Sequence, residues 1–210
     1  MQRQRNRMPV EKSPAQKLAK NISTVAFIMC LIVIGIIFIY SRQKDGKQTA
    51  DSTSGSSAEV ERLASKDLEV AYPETPVEVM KLYGRINQCM YNTELEDDEF
   101  DKLLAQLRML YSTTLLEQNT LEEHTENLKA EISGFEENKR RIVNYTVDKS
   151  SSVKYEEIDG RECAYIQIAF FISENSTYSK SFQDYVLVRE NGNWKILAFK
   201  KNNDQEKENS

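Results

Sequence analysis

DYVLVRENGNWKILAF, residues 184–199, reads as two strands on either side of a tight turn. Asn191-Gly192 supplies the left-handed backbone that a two-residue hairpin turn requires. That turn predicts a register in which Leu187 faces Ile196, Val186 faces Leu197 and Tyr185 faces Ala198. Side chains alternate along a strand. Tyr185, Leu187, Trp194 and Ile196 therefore share one face, and Phe182, Val186, Leu197 and Phe199 share the other. Both faces are largely apolar. A single helical layer covers only one of them, which leaves the other for a pocket or a partner.

The same alternation continues upstream. Residues 153–158 and 161–173 flank Asp159-Gly160, a second hairpin signal, and residues 142–147 (IVNYTV) form a further strand; the last two strands span 182–190 and 193–200. Before Arg140 the period is helical. Thr75, Pro76 and Glu78 make a capping box with proline at the first helical position. The stripe Val79, Leu82, Tyr83, Ile86 and Met90 follows, and Asn92-Thr93 ends that helix. A second helix opens on Asp97-Asp98-Glu99, acids suited to the positive end of the helix dipole. Its stripe is Phe100, Leu103, Leu104, Leu107, Leu110, Tyr111 and Leu115. A third opens on the Thr120/Glu123 capping box and carries Leu121, Leu128, Ile132 and Phe135. Three helices followed by an antiparallel meander predict an α+β domain, with the helices on one face of a curved sheet.

The other organising stretch is ISTVAFIMCLIVIGIIFIY, residues 22–40. These 19 uncharged residues span roughly 28 Å as a helix, close to the hydrocarbon thickness of a bilayer. The preceding residues carry net +5 and the following ones −10. Positive flanks stay in the cytoplasm, so residues 1–21 are expected inside and the acidic remainder outside. The core is too long for a cleaved signal peptide, and no small-x-small site follows it closely. Residues 41–57 read as a flexible polar linker, 58–201 as one extracytoplasmic domain with a short helical lead-in at 58–68, and 202–210 as a disordered tail. The predicted partner of residues 22–40 is the lipid bilayer.

The chemistry-bearing residues are few. His124 is the lone histidine and lies among Glu122, Glu123 and Glu126, which predicts a solvated helix face. The acids from Glu94 to Asp101 lack the spacing of a calcium loop. Cys89 and Cys163 have no CxxC partner and read as small buried side chains. The acidic balance, with a pI of about 5.2, argues against nucleic acid. No cofactor, metal or catalytic set is predicted. Three Asn-x-Ser/Thr triplets, at Asn21, Asn144 and Asn175, match the glycosylation pattern.

PVEVMKLYGRINQCMY (76–91), the late meander and the close DYVLVRENGNWKILAF together resemble the nuclear transport factor-like, or cystatin-like cone, superfamily over residues 73–200. DLEVAYPETPVEVMKLYGRI (67–86) also looks like the opening of a bacterial family of single-pass membrane proteins of unknown function. Cone enzymes place an Asp or a Tyr deep in a pocket. The residues here that such a pocket could use are Tyr83, Tyr111, Tyr145, Tyr165, Tyr185 and Asp184, with Leu187, Trp194 and Ile196 as wall or interface. Cone domains also pair through the outer sheet face, which implies a homodimer or an envelope-protein partner there. The layout of basic tail, span, linker and cone is similar to that of an inner-membrane assembly subunit of type IV secretion machines. A non-catalytic binding or assembly module is the leading expectation. A small-ligand sensor and a cone-fold isomerase or dehydratase are the alternatives.

Overall fold

Thr75 caps the helix that follows it, as the sequence implies. Its hydroxyl accepts from the Glu78 amide at 3.2 Å, and the Glu78 carboxylate accepts from the Thr75 amide at 3.1 Å. The structure, a computed structural model, describes residues 57–202. The elements are α1 (Ser57–Ala64), α2 (Pro76–Asn92), α3 (Asp97–Met109), α4 (Thr113–Gln118) and α5 (Leu121–Glu137), then β1 (Arg140–Val147), a 3-10 turn (Ser150–Ser152), β2 (Lys154–Ile158), β3 (Arg161–Glu174), β4 (Thr177–Glu190) and β5 (Asn193–Lys201). The expected lead-in helix is α1, and the linker boundary moves by one residue because Ser57 opens it. The apolar run 22–40 and the rest of the linker lie outside the described residues. Among the described residues no helix is long and apolar enough to cross a membrane.

All strand pairs are antiparallel, in the order β1-β3-β4-β5. β3 pairs β4 along one edge; along the other it pairs β2 at Arg161–Tyr165 and β1 at Ile168–Glu174. One face takes Ala164, Ile166, Ile168 and Phe170 from β3, Tyr185 and Leu187 from β4, and Trp194 and Ile196 from β5. Against it pack Met80, Tyr83, Ile86 and Met90 of α2, Leu103, Leu104 and Leu107 of α3, and Leu128 of α5. The α+β class with helices on one sheet face thus holds. Cys89 and Cys163 are buried free thiols.

Three local readings are corrected. The second helix does not run on to Leu115. Leu110 closes α3 with its amide on the Arg108 and Leu107 carbonyls, and the chain extends along β5. The Ile196 amide donates to the Leu110 carbonyl at 2.7 Å, and the Ser112 amide donates to the Ile196 carbonyl at 2.9 Å. Ser112 then caps α4, accepting from the Leu115 amide at 3.1 Å. Hydroxyl side chains bond nearby backbone and so compete with helix continuation. The apolar stripe was real, since Leu110, Tyr111 and Leu115 are buried, but three different local structures supply it.

The second correction concerns β4, which starts at Thr177 and not at residue 182. Asn175 and Ser176 both take positive φ, 47° and 70°, and close a hairpin in which Glu174 faces Thr177. The triplet Asn175-Ser176-Thr177 therefore has a structural use. Third, the last hairpin carries a bulge. Leu187 faces Ile196 as expected, but Val186 faces Ala198 and Tyr185 faces Phe199. Leu197 is the extra residue, and one inserted residue exchanges the faces beyond it. Phe199 accordingly joins the helix-side face, where its ring stacks on Tyr185 at 5.1 Å and 8°. A second irregularity lies in β1 between Ile142 and Asn144. At the other boundary, the Asn202 amide donates to the Phe182 carbonyl at 2.7 Å, so the fold includes residue 202; residues 203–210 lie outside the described ones.

Candidate functional site

Four tyrosines converge where α2, α5 and the sheet meet. Tyr83 and Tyr91 come from α2, Tyr111 from the segment after α3, and Tyr185 from β4. The Tyr83 and Tyr185 hydroxyls are 3.0 Å apart, their rings meet edge to face at 5.3 Å, and Tyr185 donates to Gln183 Oε1 at 2.6 Å. Burial pushes the Tyr83 phenol up to about 12 and raises Tyr91, Tyr111 and Tyr185 well beyond the ordinary tyrosine value. At neutral pH all four stay protonated. They can hydrogen-bond, but none can act as a base.

Two groups on α5 complete the cluster. The Glu131 carboxyl is withdrawn from water although the residue as a whole keeps some exposure, and this burial raises its pKa; a hydrogen bond with Tyr91 offsets part of the rise. His124 is half-buried, its ring stacked on Tyr111 at 5.6 Å and 22°. Its Nδ1 is 3.3 Å from Arg108 Nη1. A guanidinium can only donate, so Nδ1 accepts and the proton is on Nε2. Burial first, and the Arg108 charge second, lower the imidazole to about 4. The solvated face expected for His124 is therefore corrected: the helix turns this residue toward Tyr111.

The expected pocket residues separate into four sets. Tyr83, Tyr111 and Tyr185 meet in the cluster just described. Leu187, Trp194 and Ile196 are helix-side core. Tyr165 points to the opposite face, beside Glu156 and Cys163. Asp184 is also on that face, not in the interior. Its carboxylate accepts from Gln167 Nε2 at 2.9 Å and Asn202 Nδ2 at 3.0 Å. Tyr145 anchors β1 to α2 by donating to the Lys81 carbonyl at 3.0 Å. Tyr91, Glu131 and Gln183 were missed. Glu131 sits three residues past Leu128 and one before Ile132 of the apolar stripe, and that phase was the available signal.

The cluster is packed rather than hollow: Tyr185 is 1% exposed and Tyr83 7%. A cleft of about 300 Å³ reaches Tyr111 from outside, bordered by Arg108, Glu190 and Lys195. Its charged groups already have structural partners. Lys195 Nζ donates to the Met109 carbonyl at 2.6 Å and lies over the Tyr72 ring, and Glu190 accepts from the Thr113 amide at 3.0 Å. A wider groove of about 920 Å³ runs between the α1–α2 connection and β1, lined by Lys66, Tyr72, Lys81 and Tyr145 among others. Neither is lined by Tyr83, Tyr185 or Glu131. Among the described residues no three His, Cys, Asp or Glu side chains are grouped to hold a metal ion.

The opposite sheet face has another character. Tyr165, Gln167 and Phe171 of β3 and Phe182, Asp184 and Val186 of β4 are all partly exposed. Apolar side chains here surround the polar strip Gln167–Asp184–Asn202.

What these observations define is an α+β domain with a filled interior and an open sheet face. The chain belongs to the family described as Domain of unknown function (DUF6715), which it matches over residues 11–199. The match takes in the apolar run as well as the folded domain. No match was found among curated proteins or among solved structures.

Proposed function

We propose that the protein is a single-pass membrane protein whose cone-like domain, related to the nuclear transport factor-like folds, works outside the cytoplasm as a non-catalytic binding or assembly module. Residues 22–40 form the span, the basic residues 1–21 remain in the cytoplasm, and the polar residues 41–56 tether the domain. The open sheet face carries this reading. Large apolar side chains left partly in water, on the face opposite the helices, are the usual mark of a surface made to be covered. The filled interior supports it too, because an enzyme of the cone type needs a hollow that admits substrate. Protease applied to intact, wall-stripped cells should remove a C-terminal tag and spare an N-terminal one. The reverse pattern overturns the orientation.

The small-ligand reading has one observation in its favour, the convergence of a buried carboxyl with four phenols beneath α5. It takes precedence if a ligand from cell extract protects Tyr91 or Glu131 from hydrogen exchange or labelling while the sheet face stays free.

A further inference from the structure

β4 outruns its neighbour. It begins at Thr177, whereas β5 ends at Lys201 opposite Gln183, with one more bond from the Asn202 amide to the Phe182 carbonyl. Residues 177–181 pair with β3 on one edge and, among the described residues, with no strand on the other. In an antiparallel strand the amide and carbonyl of one residue point to the same side, and the side alternates from residue to residue. Phe182 faces β5, so Lys180 and Tyr178 direct their backbone groups at the edge that, among the described residues, no strand covers. Tyr178 is 55% exposed, and the Lys180 ammonium rests over the Phe171 ring at 5.2 Å.

This edge is its own complement. When it is laid antiparallel on a second copy about a two-fold axis through Ser179, Tyr178 meets the partner's Lys180, Thr177 meets the partner's Ser181, and Ser179 meets its counterpart. Tyr178 and Lys180 then form hydrogen-bonded pairs that use the outward backbone groups. On one face an ammonium lies beside a phenol ring; on the other, hydroxyls oppose hydroxyls, a favourable cross-strand pairing. No two like charges stand directly opposite. We propose that residues 177–181 are a strand-addition site for a second copy of this chain, joining two five-stranded sheets into one. The contact is short, well below the roughly 1,200 Å² of stable interfaces, so it needs copies crowded on one membrane. For that crowding alone it rests on the anchored reading above.

The test uses the full chain in membranes, with Cys30→Ser to remove the third thiol. A non-hydrogen-bonded antiparallel pair brings Cα atoms to about 4.5 Å, within disulfide reach. Ser179→Cys should oxidise to a covalent dimer and Lys180→Cys should not. In the Ser179→Cys background, Tyr178→Glu should raise the yield by facing the partner's Lys180, and Tyr178→Lys should lower it. Adding Lys180→Glu to Tyr178→Lys should restore it. Lys180→Pro removes an outward amide without touching the β3 ladder and should abolish the dimer. The proposal is overturned by absent cross-linking in chains whose protease pattern confirms the anchor. It is equally overturned by yields indifferent to the charge at 178, or by a dimer that forms only once residues 203–210 are deleted, which would mean the chain's own end occupies the edge. A failed protease pattern counts against the anchored reading instead.

Discussion

Gly84 of α2 rides directly on the ring of Tyr145: a methyl group at Gly84 would stand 2.6 Å from Tyr145 Cδ2 and 3.0 Å from Ile168 Cδ1. The helix approaches the sheet this closely because no side chain intervenes at that point. Tyr145 is held in place by its bond to the Lys81 carbonyl, so its ring cannot simply swing aside. Gly84→Ala should lower stability by roughly 1–3 kcal/mol, the range for overpacking, read by denaturant or thermal unfolding. In combination with Tyr145→Ala the losses should be clearly less than additive. Additive losses would show that the two residues do not press on each other.

Glu131 and His124 give α5 opposed pH responses. Glu131 has a raised folded pKa, so its contribution is fully present below the unfolded carboxyl value and is lost as pH climbs through the elevated one. His124 has a lowered one, so its contribution is present above about 6.5 and is lost as pH falls toward about 4. Around them lie Tyr91 and Tyr111, both protonated, and the Arg108 charge. Hydrogen-exchange protection across α5, each rate taken relative to the intrinsic rate at that pH, should be greatest at mildly acidic pH. Glu131→Gln should flatten the alkaline limb and leave the acid limb, and His124→Gln should do the converse. An unchanged profile in both variants would remove these groups from the account.

Leu187 and Val186 are neighbours in sequence and opposites in the fold. Leu187 is fully buried under the helices; Val186 is half-buried on the open face. Leu187→Glu should prevent folding, since a buried unpaired carboxylate costs more than a domain of this size can spare. Val186→Glu should stay folded, with circular dichroism unchanged and Tm within a few degrees of the parent, while losing any association made through that face. A folded Leu187→Glu variant would mean the register is wrong.

Thr75 and Glu78 satisfy each other's amides at the start of α2. Thr75→Ala should cost about 1 kcal/mol, measured as a shift in unfolding midpoint. Thr75→Asp should recover most of it. A larger loss would indicate that α2 nucleates more of the fold than its own first turn.

The hairpins were legible where residue type dictates backbone. Asp159-Gly160 and Asn191-Gly192 turn as expected because glycine takes positive φ freely. Asn175-Ser176 turns the same way without a glycine, and so left no mark. The register of the final hairpin was legible for the pair nearest the turn and failed at Leu197. A bulge is decided by what lies across the strand, here the stacking of Phe199 on Tyr185, and not by the bulged residue itself. The break after Met109 was hidden for a related reason: an apolar stripe records burial and is silent on whether one helix or three pieces provide it. Tyr83, Tyr111 and Tyr185 were among six residues offered to a pocket by the cone resemblance, which did not say that these three meet; Glu131 was passed over although its phase beside Leu128 and Ile132 pointed inward, because it stands on an acid-rich helix whose other carboxylates face water.

Helix α1 is joined to the rest in a particular way. Val60 and Leu63 are buried, Glu59 pairs with Arg85 of α2, and Gln106 of α3 donates to the Ala64 and Lys66 carbonyls at 3.3 and 2.8 Å. On the anchored reading, α1 is also where the tether enters. Any tension between membrane and domain would then arrive at Ser57 and be borne by a two-turn helix clipped to the helical layer, leaving the sheet unstrained. The first thing such a pull would detach is α1, which would expose Val60 and Leu63 and remove one wall of the groove lined by Lys66, Tyr72 and Tyr145, so this short helix would act as a mechanical fuse between the anchor and the folded layers.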